Sequence, residues 1–121
     1  MVDRSKLTWL FFGLSGRISP AACLLGGLLV FVVQMFLFYR LLRVDPGTSA
    51  AHFWEAILSV MVLLSVWVNF ALTAKRFHDF GKPTAFAALS LLFGLILYIV
   101  LYFIKGDPGP NRYGAVTDAP H

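Results

Sequence analysis

The chain has 121 residues, 59% of them hydrophobic and only 13% charged, with 12 phenylalanines and a net charge of +4. A soluble domain is roughly 45–50% apolar and about 25% charged, so these few charges cannot clothe a water-facing surface. The composition excludes an ordinary soluble globule, and a single cysteine, Cys23, excludes an internal disulfide or a multi-cysteine metal site.

Leu7, Leu10, Phe11 and Leu14 recur at the period of one helical face. They predict a short amphipathic helix over residues 3–14, lying at the membrane interface with Arg4, Lys6 and Trp9 at head-group level. No cleavable secretory signal is expected there, because a short apolar region followed by a small-residue cleavage site is missing. Gly16 is suited to stop the helix. Ser19 and Pro20 then offer an N-cap and a first-turn proline.

A first transmembrane helix is predicted over 20–42, rich in Leu, Val and Phe, with Gln34 its only strongly polar central residue. Ala22 with Gly26 and Cys23 with Gly27 form small-residue lines that permit close helix approach. Arg40 and Arg43 mark its exit, and residues 44–49 are turn chemistry. A second transmembrane helix follows over 54–78, with no charge between residues 56 and 74. It carries a polar stripe, Ser65, Asn69 and Thr73, spaced by four and therefore on one face. Such a stripe points at other helices, for interhelical hydrogen bonding or for a polar path.

Gly81 and Pro83 separate this helix from a third, predicted over 84–104, whose line Ser90, Gly94, Tyr98 and Tyr102 forms a packing face. Residues 106–114 hold two prolines and three glycines and cannot be helical. The expectation is an all-α membrane protein in which residues 1–114 form one integral domain and 115–121 a disordered tail. With three crossings the N-terminal side and the 75–84 loop carry six Lys and Arg, namely Arg4, Lys6, Arg17, Lys75, Arg76 and Lys82. The other side carries four, so the first side is expected in the cytoplasm.

Three motifs, Ser15-Gly16-Arg17, the run from Lys75 to Lys82 (KRFHDFGK) and the run from Gly106 to Gly114 (GDPGPNRYG), occur in order. In these the chain resembles the small bacterial inner-membrane proteins grouped as domain of unknown function 805, the YhaH/YhaI-like group. The resemblance covers residues 12–114 and implies a multi-pass inner-membrane protein without assigning an activity. Gly16, Arg17, Arg76, His78, Asp79, Gly81, Lys82, Asn111, Arg112, Tyr113 and Gly114 match as motif positions. Ile18-Ser19-Pro20 and Pro83-Thr84-Ala85 depart from the family pattern.

His78 next to Asp79 is the one place where chemistry is tempting, since histidine serves as acid, base or metal ligand. No serine, cysteine or second acid completes a catalytic set there, and no metal or cofactor site is expected. Asp79 is expected to pair with Arg17 or Arg76. Arg17, Lys75, Arg76, His78 and Lys82 also make a basic patch suited to anionic lipid head groups, and Arg112 with Tyr113 is expected to reach Glu55. Nucleic acid is not expected, because the basic residues sit beside apolar segments. The leading expectation is a non-enzymatic scaffold or accessory protein acting through helix–helix and anionic-lipid contacts, as a homo-oligomer or within a larger complex. A small transporter using the polar stripe, or a lipid-acting enzyme using His78, are the alternatives.

Overall fold

The computed structural model describes residues 4–119. Five α-helices follow in order: α1 (Arg4–Phe12), α2 (Pro20–Leu42), α3 (Ser49–Asp79), α4 (Ser90–Phe93) and α5 (Leu95–Tyr102), with a 3₁₀ segment, Thr84–Leu89, leading into α4. No strand is present among the described residues. At about 1.5 Å per residue, α2 is roughly 34 Å long and α3 roughly 46 Å. Both are long and apolar enough to cross a membrane.

Each long helix starts on a capping side chain, but α3 begins at Ser49 rather than at the expected residue 54, within residues read as turn. The Ser19 hydroxyl accepts from the Ala22 amide ahead of Pro20, and the Thr48 hydroxyl accepts from the Ala51 amide. The tight turn between them makes α2 and α3 antiparallel neighbours: Cys23 and Gly26 meet Leu72, and Gln34 meets Ser65. Arg40 lies over the Trp54 ring at the turn end. The small-residue lines are used on two fronts. A Cβ on Gly26 would press on Leu72 at 3.1 Å, and one on Gly27 would meet the Tyr98 ring at 2.7 Å. The missing side chains therefore let α3 and α5 approach α2 from different directions.

The third apolar segment is not one helix over 84–104. It is broken at Gly94, where φ is +54° and ψ −128°, a conformation open to glycine and strained for other residues. Both ends of the segment lie at the α2-start and α3-end side of the bundle: Thr84 bonds His78, while the carbonyls of Leu101 and Ile104 accept from Arg76. The segment enters between the long helices, turns at Gly94 and returns. The expected Ser90, Gly94, Tyr98 and Tyr102 face is accordingly split, with Tyr98 buried and Tyr102 exposed.

The return carries the C-terminal arm to the same end as the loop after α3, against the alternation expected from three crossings. Arg112 and Tyr113 lie there too, remote from Glu55, which faces His52 instead. Of the tail expected to be disordered, residues 115–119 are folded back. The Asp118 amide donates to the Arg17 carbonyl, and the Ser19 amide donates to the Asp118 carboxylate. Residue 3 of the first expected helix and residues 120–121 of the tail fall outside the described residues.

Helix α1 is present but has almost no sidedness, because Leu7, Trp9, Leu10, Phe11 and Phe12 are spread around it. Trp9, Leu10 and Phe11 pack on a core of Ile18, Cys23, Val68, Leu72 and Tyr98. A second core joins Phe77 to Leu97 and Leu101. With α1, α2, the hairpin and the arm around it, α3 is buried without interruption from Ala71 to Asp79. Elsewhere the surface is strongly apolar, with Leu25, Leu63, Leu92 and Phe103 among many large exposed side chains.

Candidate functional site

The final turns of α3 bring the motif residues into one buried cluster. Arg17, Lys75, Arg76, His78 and Asp79 are each no more than 3% exposed. A charge held away from water is costly unless it is paired and fully hydrogen-bonded. Each of these groups is paired or hydrogen-bonded in its own way.

Arg17 donates from Nε to Asp79 Oδ1 at 3.0 Å. Its Nη1 donates to the carbonyls of Gly109 and Gly114, and its Nη2 to those of Asp107 and Asp79. All five donors of the guanidinium are engaged. Arg76 takes the other carboxylate oxygen of Asp79 and reaches the carbonyls of Ile18, Leu101 and Ile104. Asp79 thus lies between two guanidiniums, and Thr117 donates a further hydrogen bond to its Oδ1.

Lys75 points the other way. Its ammonium donates to the carbonyls of Trp9, Leu10 and Gly13 at 2.8, 2.6 and 2.5 Å, and so caps the C-terminal end of α1. The last carbonyls of a helix lack partners and carry its negative end, so a cation is well placed there. Arg76 serves the end of α5 in the same manner through the Leu101 carbonyl.

His78 is closed on both nitrogens. Nδ1 lies 2.9 Å from the Gly16 carbonyl and Nε2 2.8 Å from the Thr84 hydroxyl. A carbonyl only accepts, so Nδ1 holds the proton, and in the neutral ring Nε2 accepts from Thr84. The imidazole also stacks on Tyr113, whose ring is near the Arg112 guanidinium. Asn111 donates from Nδ2 to the His78 carbonyl and the Asp107 carboxylate, and accepts from the Tyr113 amide. Gly81, with φ +82°, turns the chain out of α3.

Chemically, the buried base His78 and the buried guanidiniums of Arg17 and Arg76 are engaged by the protein itself, and of the arginines here only Arg112 is exposed. Among the described residues no group of three or more His, Cys, Asp or Glu is placed to hold a metal ion. Of the basic patch read in the sequence, Arg17, Lys75, Arg76 and His78 come together inside the protein, whereas Lys82 is exposed. Asp79 pairs with both expected arginines.

Residues 11–115 match the model of a family described as "protein of unknown function (DUF805)". The chain belongs to the DUF805 family. No curated protein and no solved structure matches it. In this DUF805 chain the three motifs are neighbours in space: Gly16-Arg17, the end of α3 and the closing arm are joined through Arg17, Asp79 and Asn111.

The polar stripe on α3 is divided among separate tasks. Ser65 accepts from Gln34 and donates to the Val62 carbonyl, while Thr73 donates to carbonyls of its own helix. Asn69 accepts from the Tyr98 hydroxyl at 2.5 Å. Tyr98, Asp107, Thr84, Thr117 and Asp118 were not legible as partners in the sequence. All but Thr84, which follows α3 directly, depend for their positions on the reversal at Gly94, for which a lone glycine in an apolar run is a weak signal.

Proposed function

We propose that this DUF805 protein is a non-enzymatic scaffold or accessory protein of the bacterial inner membrane, built from two crossings and a re-entrant hairpin. The observation that carries this reading is the engagement of Arg17, Lys75, Arg76, His78 and Asp79 by the protein's own carbonyls, hydroxyls and carboxylate. A cluster whose charged groups are each bonded to the protein's own atoms supports a fastening role over substrate binding or proton transfer. The exposed apolar girdle of α2, α3 and the hairpin supports residence in lipid, where only helices and protein-covered breaks are tolerated. Contacts with anionic head groups fall to exposed cations at the cluster end, Lys82, Lys105 and Arg112.

The returning hairpin also changes the orientation argument. Eight of the ten Lys and Arg, all but Arg40 and Arg43, lie on the cluster side. The positive-inside rule then puts both termini and residues 75–84 in the cytoplasm, with the turn at 43–48 outside. Reporter fusions test this: a fluorescent protein at the C-terminus should fold and fluoresce, while a cysteine introduced at Ser49 should react with an impermeant thiol reagent in intact cells. Labelling of the turn from the cytoplasmic side only, or a C-terminus on the outer face, overturns it.

A further inference from the structure

Between α2, α3 and α5, a half-open cavity of about 300 Å³ is lined by Val30, Phe31, Gln34, Asn69, Leu95 and Tyr98, with Gly94 at its rim. Its walls combine apolar side chains with two amides, and no charged residue lines it. Gln34 lies 14 residues beyond Pro20, or roughly 21 Å along the helix at 1.5 Å per residue, well inside the apolar span.

The amides are only half used. Gln34 gives one Nε2 hydrogen to Ser65 and keeps its other N–H and its Oε1. Asn69 accepts from Tyr98 on Oδ1 and keeps its amino group. Neither the Asn69 amino group nor Gln34 Oε1 has a hydrogen-bond partner among the described residues. Both amides are half-buried, and within an apolar span an unsatisfied donor or acceptor is costly, so the cavity is complementary to a group that supplies both.

An ion is disfavoured because no counter-charge is present, and a phosphate-bearing head group is disfavoured for the same reason. A hydroxyl matches, since it donates to Gln34 Oε1 while accepting from Asn69. Phe31 and Leu95, both over 40% exposed, leave the apolar wall open to the surrounding hydrocarbon. We infer that this cavity binds the uncharged, hydroxyl-bearing head group of a neutral lipid of the diacylglycerol type, admitted sideways from the bilayer. The inference rests on the membrane residence proposed above and deepens it by naming a ligand class.

The test uses the full chain in phosphatidylcholine nanodiscs with two probes bearing the same photoreactive acyl chain, one a diacylglycerol and one a phosphatidylcholine. The diacylglycerol should label peptides containing residues 27–34 and 94–98, and the phosphatidylcholine should label the outer apolar faces instead. Asn69→Leu removes the donor, and Val30→Trp fills the cavity while leaving both amides in place. Each should lower diacylglycerol labelling of those peptides by about tenfold. Equal labelling in all three proteins overturns the inference, as does equal labelling of the cavity by both probes. A crosslink between two copies through the Gln34 peptide also overturns it, by making a second chain the occupant. A wild-type chain that fails to enter the nanodisc overturns the membrane reading itself, an outcome distinct from intact insertion without selective labelling.

Discussion

The imidazole of His78 lies flat on the phenol ring of Tyr113, with 4.0 Å between centroids and 1° between planes. The two residues are far apart in sequence, and their stack fastens the closing arm to the end of α3. Tyr113→Ala should lose about 0.5–1.5 kcal/mol beyond the area term, seen as a lower unfolding temperature in detergent. Tyr113→Phe keeps the ring and should match the parent protein.

Asp79 is the anion shared by Arg17 and Arg76. Asp79→Asn preserves shape and removes the charge, leaving two buried guanidiniums without a counter-ion. A destabilisation of about 3–5 kcal/mol is expected. Lys82→Ala, on an exposed side chain of the same loop, should stay within about 0.5 kcal/mol. Thermal unfolding of the two variants side by side checks the contrast.

Two glycines of the arm differ sharply. A Cβ on Gly106 would run into the Asp79 carboxylate, whereas one on Gly109 would meet nothing within 4 Å. Gly106→Ala should therefore release the arm, at a cost of about 1–3 kcal/mol, and Gly109→Ala should not. Limited proteolysis within residues 106–119 reads the difference as faster cleavage in the first variant alone.

Lys75→Met keeps the length of the side chain and removes all three hydrogen bonds to the end of α1. The orphaned carbonyls should cost about 1–3 kcal/mol, and α1 should detach from α3. Tryptic cleavage after Lys6 should then accelerate, while cleavage after Arg43 in the distant turn should not change.

Much of this molecule was legible from composition and spacing. Pro20 and Gly81 stand where the structure starts α2 and leaves α3, because caps and breakers act locally, whereas the Thr48 cap of α3 lay among residues legible only as a turn. The pairing of Asp79 with Arg17 and Arg76 followed from the need of a low-dielectric charge for a partner. The third segment was legible only as apolar. Its hydropathy is indifferent to whether the chain runs through or doubles back, and the choice was made at Gly94 and by Arg76 gathering the carbonyls of Leu101 and Ile104. That return in turn decided where the arm lands and which residues complete the cluster. Gln34 was visible as the single polar residue of its span, but its partner Ser65 and the neighbouring cavity depend on helix register that no local pattern supplies.

The hairpin that turns at Gly94 also makes the two ends of the helix pair unequal in girth. At one end α1, both limbs of the hairpin and the closing arm gather around the two long helices, while toward the 43–48 turn only a pair of rods remains. In the bilayer placement proposed above, the crowded end displaces more lipid than the slender one.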